Sequence, residues 1–69
     1  MRQISRITGK SYMPEESYII LNVAQAAAYL DNGAELLDIY VGRDRKLCFV
    51  FPKDSKTKEL FNKWVKYQL

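Results

Sequence analysis

The residues of this chain that are able to do chemistry are few. They are one thiol, Cys48, two adjacent carboxylates, Glu15 and Glu16, and the triplet Gly9-Lys10-Ser11, which looks like the end of a phosphate-binding loop. Such a loop needs a glycine five residues before its second one, so that backbone N–H groups can wrap the anion, and a buried strand leading into it. Ile4 stands at that position and no strand has room to precede it, so the triplet is set aside. Cys48 lies in an alternating apolar run and has no histidine to take its proton, because the chain contains none. A structural cysteine is expected there, since reactivity needs an exposed electropositive setting. Lack of histidine also removes the side chain that titrates near neutrality and the commonest ligand of zinc. Glu15 and Glu16 adjoin Pro14 and read as a solvated turn, not as an acid–base pair. No catalytic residue, metal, cofactor or small-molecule substrate is expected, and function is sought in binding.

Charge narrows the binding partners. The net charge of +3 divides unevenly: residues 1–14 carry three bases and no acid, residues 15–41 carry five acids and no base, and residues 42–69 carry eight bases and three acids. Arg43, Arg45 and Lys46 in a turn, with Lys56 just after the following strand, form a candidate basic patch near one end of the molecule, joined by Lys53 and Lys58 and neighboured by Tyr40. A basic patch beside an aromatic ring suits phosphate and a base, which makes a small nucleic-acid-binding domain the alternative reading. The competing view is that these lysines keep a small protein in solution.

The elements that must position these groups follow from period and turn chemistry. Leu37, Ile39 and Val41 alternate with Leu36, Asp38 and Tyr40; beyond Gly42-Arg43-Asp44-Arg45-Lys46, the residues Leu47, Phe49 and Phe51 alternate with Cys48 and Val50, a β-hairpin pattern. Tyr18 to Leu21 reads as a short buried strand. Asn22 is a good N-cap, with Gln25 three residues on in capping-box position, so a helix begins at about Val23 and stops at Asp31-Asn32-Gly33. Val23, Ala27 and Leu30 share a face of it that is expected in the core; an alanine-rich helix docking into a partner's groove is the functional alternative. A last amphipathic helix starts at Asp54 or Ser55, with Leu60, Phe61, Trp64 and Val65 on its apolar side.

These elements predict an α+β fold in a single small domain, βαββα, a three-stranded antiparallel sheet with two helices packed on one face. Residues 18–69 are expected to form the compact domain and residues 1–17 an N-terminal arm, extended or mobile. The core is expected to hold Ile20, Val23, Ala27, Leu30, Leu37, Ile39, Phe49, Phe51, Leu60, Phe61 and Trp64. With the helices on one face, the other is expected to lie open and to carry Leu36, Tyr40, Cys48 and Val50. A contiguous apolar patch of that kind usually marks a protein interface, and a self-complementary homodimer is its simplest use. No apolar run approaches the roughly 20 residues of a membrane helix, and the N-terminus has no apolar stretch like that of a signal peptide, so a cytoplasmic protein is expected.

Tyr18-Ile19-Ile20, Ala27-Ala28-Tyr29-Leu30 with Gly33, Leu37-Asp38-Ile39 and Phe49-Val50-Phe51, followed by a terminal helix, resemble a family of small domains of unknown function. That family occurs mainly in bacteria, phages and other mobile elements. The resemblance covers residues 18–69, rests on hydrophobic and turn positions, and carries over no functional residue. It implies a βαββα domain without known activity and, for a phage or mobile-element product, a non-enzymatic module that binds a host or defence protein.

Overall fold

A computed structural model describes all 69 residues. The chain runs through β1 (Gln3–Ile4), β2 (Ser11–Tyr12), β3 (Ser17–Ile20), α1 (Val23–Asp31), β4 (Asp38–Val41), β5 (Leu47–Pro52) and α2 (Ser55–Val65). It is an α+β protein with two helices and two antiparallel sheets, one of two strands and one of three. The pair β1–β2 precedes everything else, so the chain as a whole is more than a βαββα unit.

β5 is the centre of the larger sheet, with β3 on one side and β4 on the other. Tyr18 lies opposite Phe51 and Ile20 opposite Phe49, while Asp38 lies opposite Val50 and Tyr40 opposite Cys48. Strand side chains alternate between faces. Tyr18, Ile20, Phe49 and Phe51 therefore share one face, and Ile19, Asp38, Tyr40, Cys48 and Val50 the other. The turn from β4 to β5 places both Asp44 and Arg45 at positive φ, 59° and 58°, the left-handed conformation whose twist matches that of a two-strand ribbon.

Both helices start where their caps dictate. Asn22 accepts the N–H of Gln25, and Asp54 accepts the N–H of Thr57. The reciprocal half of the Asn22 capping box is not made, because the Gln25 side chain donates to the Tyr29 hydroxyl 2.9 Å away. α1 gives way to Gly33, whose φ of +87° favours a residue without Cβ.

Ala26 and Tyr29 of α1, Leu60 of α2, and Ile20, Ala34 and Phe51 form the core. Tyr29 and Phe51 are completely buried and meet edge to face, ring centroids 5.3 Å apart. Leu36, Phe49 and Trp64 are half-buried against this cluster. Three expected core residues are displaced: α1 is rotated so that Ala26 and Tyr29 face the sheet, and Val23, Ala27 and Leu30 face outward. Phe61 is also largely at the surface, where it stacks on Tyr18 with ring centroids 6.0 Å apart.

Candidate functional site

The sheet face opposite the helices is closed at its centre, although Ile19 and Tyr40 toward its edges remain exposed. Val50 has no exposed surface, and Cys48 beside it is buried. Residues 1–13 sit over Asp38, which lies opposite Val50 in the sheet, while the Cys48 sulfur is sheltered by Gly42 and the Lys46 carbonyl of its own turn. Where the sequence suggests an extended or mobile arm, residues 1–13 form a tight hairpin: Ser5 N–H donates to the Lys10 carbonyl, Gly9 N–H to that of Ser5, and β1 pairs with β2. The Ser5 hydroxyl accepts the N–H groups of Ile7 and Thr8, fixing the loop in a side-chain turn typical of serine. Tyr12 turns inward and is 7% exposed, whereas Ile4 and Ile7 point to solvent.

Asp38 holds this hairpin down. Its carboxylate accepts the Ser5 hydroxyl at 2.6 Å, the Tyr12 hydroxyl at 2.5 Å and its neighbour's N–H, that of Ile39, at 2.8 Å. Burial raises the cost of its charge, but the hydrogen bonds from Ser5, Tyr12 and Ile39 outweigh that cost and hold its pKa below the usual carboxylate range. Tyr12 shows the complementary effect: burial, then the hydrogen bond to Asp38, raises its phenol above the usual range. Thr8 donates to the Leu37 carbonyl at 2.7 Å, and Lys10 reaches the Leu36 carbonyl and pairs with Glu35 at 3.1 Å.

Ser5, Asp38 and Tyr12 are the nearest the chain comes to a catalytic constellation, and their geometry works against one. A serine becomes a nucleophile when a base takes its proton. A carboxyl held below its usual pKa is a poor base at neutral pH, and the Ser5 oxygen is buried and already engaged by two N–H groups. The arrangement ties two segments together.

Of the residues expected to line an open sheet face, Leu36 is half-buried against the helix-side core, Val50 and Cys48 are buried, and Tyr40 is exposed. Tyr40 borders a groove of about 580 Å³ between the hairpin and β4, shared with Ile4, Arg6 and Ile7. The expected basic patch also divides. Arg43, Arg45 and Lys46 precede β5 and Lys56 follows it; the six residues of that strand span roughly 20 Å. Lys56 lies instead beside the end of α1, its Nζ 3.2 Å from where a Cβ on Gly33 would stand, and Lys53 covers the Tyr18 ring.

An apolar row without a cover runs along the outer side of α1. Val23 is 61% and Leu30 40% exposed, Ala27 lies between them in the same row, and Leu21 leads into the helix exposed as well. No charged residue occurs in α1 before Asp31. Comparison of the chain with protein-family models, curated proteins and solved structures finds no match in any of the three. No helix is long and apolar enough to cross a membrane.

Sequence reasoning missed the role of Ser5, Tyr12 and Asp38. The loop itself carried a signal, a serine three residues before Thr8-Gly9 with Ile4 and Tyr12 flanking it. Nothing local pointed to Asp38, which is 33 residues from Ser5 and 26 from Tyr12.

Proposed function

We propose that this protein is a non-enzymatic protein-binding module that docks through the outer face of α1. The observation that carries the reading is that α1 is apolar on both sides. A helix that is hydrophobic all round is ordinarily buried all round, yet only Ala26 and Tyr29 are covered by the protein's own core. Val23, Ala27 and Leu30 follow the i, i+4, i+7 spacing with which a helix lies in a partner's apolar groove, and the small side chain of Ala27 at the middle of the row permits close approach. The partner is a protein with such a groove, and a host protein is proposed in that role.

The test compares capture from a bacterial lysate by the wild-type chain, by Val23→Glu and Ala27→Glu, and by the double reversal Arg43→Glu/Arg45→Glu. The expected result is a captured protein that survives about 0.5 M salt, where exposed charges are screened within a few ångströms. It is lost with either α1 variant and kept with the arginine reversals, with melting temperatures unchanged. Capture that ignores both α1 variants overturns the reading. Sedimentation at several hundred micromolar separates the remaining outcome: a wild-type dimer that Ala27→Glu makes monomeric places a second copy on this face.

A further inference from the structure

We infer that residues 1–13 are a detachable strap, latched at Asp38, that opens as a unit and uncovers the second apolar face of the sheet while the helical core stays folded. This stands apart from the α1 reading, because it concerns the opposite side of the sheet.

The pattern of bonds carries it. Every backbone–backbone hydrogen bond made by residues 1–12 stays within the hairpin; none joins it to β3, β4 or β5. Attachment to the body is through side chains, Ser5 and Tyr12 to Asp38, Thr8 to the Leu37 carbonyl, Lys10 to Leu36 and Glu35, and an exposed ion pair ties the Met1 ammonium to Glu15 of the hinge turn. The hairpin's isoleucines, Ile4 and Ile7, face solvent, so Tyr12 is the one large apolar side chain buried by docking. A segment with few buried apolar contacts and no shared strand ladder is the kind that opens locally, below the cost of global unfolding. What it hides is not a polar surface. Val50 is fully buried although it points away from the helices, with Cys48 next to it and Ile19 opposite it on β3. The connection at Met13–Glu16 is a single turn closed by Glu16 N–H to the Met13 carbonyl, placed to act as a hinge. Asp38 takes one hydroxyl from each arm of the hairpin, so a single buried carboxylate controls both strands.

Thiol labelling in the full-length folded protein tests this. Three reporters are used: native Cys48, Val50→Cys on a Cys48→Ser background, and Ala26→Cys on the same background, the last in the helical core. Each is combined with Tyr12→Phe, which removes one latch donor and keeps the ring, and separately with Asp38→Asn. Labelling at position 50 should accelerate about tenfold or more, as follows from losing a charge-assisted hydrogen bond, while position 26 keeps its rate; position 48, sheltered by its own turn, reports whether the opening spreads to the β4–β5 turn. Equal acceleration at all three positions means that the hairpin leaves only on global unfolding and overturns the strap. No acceleration at any position overturns Asp38 as its latch. Where the Val50→Cys chain folds poorly, amide hydrogen exchange of the Tyr12→Phe chain replaces it: faster exchange confined to residues 3–12 supports the strap, and equal acceleration in α1 and α2 overturns it.

Discussion

Tyr12 donates its hydroxyl hydrogen to Asp38 over 2.5 Å, linking β2 to β4 across 26 residues of sequence. Two polar residues that would each be at home on a surface are both buried because each satisfies the other. The partnership makes the N-terminal hairpin part of the fold, and it sets the pH range in which the hairpin holds.

Asp38 is held below the usual carboxylate pKa, so it stabilises the folded chain above about pH 4, the ordinary value of an unfolded aspartate, and that contribution is lost as pH falls through the folded value. Tyr12 is raised, so its contribution is complete below about pH 10 and is lost as pH climbs beyond it. Tyr40 and Arg6 line the same groove; the phenol of Tyr40 is itself raised, by burial first and then by Cys48. Urea unfolding across pH should show a plateau with an acid limb that Asp38→Asn flattens and an alkaline limb that Tyr12→Phe flattens.

Thr57 is fully buried in the first turn of α2, and its Oγ1 has no hydrogen-bond partner. A buried hydroxyl left unpaired costs about 1–3 kcal/mol. Thr57→Val keeps the shape and removes the oxygen, so it should raise the unfolding free energy by about 1 kcal/mol in chemical denaturation. The neighbouring Asp54→Ala removes the cap bond to Thr57 N–H and should lower it by about 1 kcal/mol.

Gly42 stands where β4 turns toward β5, and a Cβ there would lie 2.6 Å from the Cys48 sulfur. Gly42→Ala should cost about 1–3 kcal/mol, the usual range for overpacking. Cys48→Ala in the same chain should recover most of that loss, because the clash is with one atom. A double-mutant cycle measured by thermal melting reads the coupling.

Tyr29 and Leu30 are adjacent, and the fold treats them oppositely. Tyr29→Ala empties the centre of the core and should cost about 3–5 kcal/mol, enough to unfold the chain. Leu30→Ser lies on the exposed row and should stay within about 0.5–1 kcal/mol of wild type, as read by circular dichroism against temperature.

What the sequence determined by itself was whatever short-range chemistry decides. Alternation in residues 36–51 marked both strands of the central hairpin, and Asn22 and the pair Asp54-Ser55 marked the helix starts, because a strand's period and a cap's hydrogen bond involve residues only two or three apart. The face of α1 was different. Apolar residues occur all around that helix, so period selects no side, and the choice of Ala26 and Tyr29 over Val23, Ala27 and Leu30 came from the fit of the Tyr29 ring against Phe51. The basic residues flanking β5 looked adjacent in sequence but are held at its two ends by the length of an extended strand. Only tertiary structure could pair Ser5 and Tyr12 with Asp38, because a hydrogen bond between distant polar residues leaves no periodic trace. That bond fixes the hairpin over the centre of the sheet's second face, while the outer side of α1 stays an apolar row without a cover.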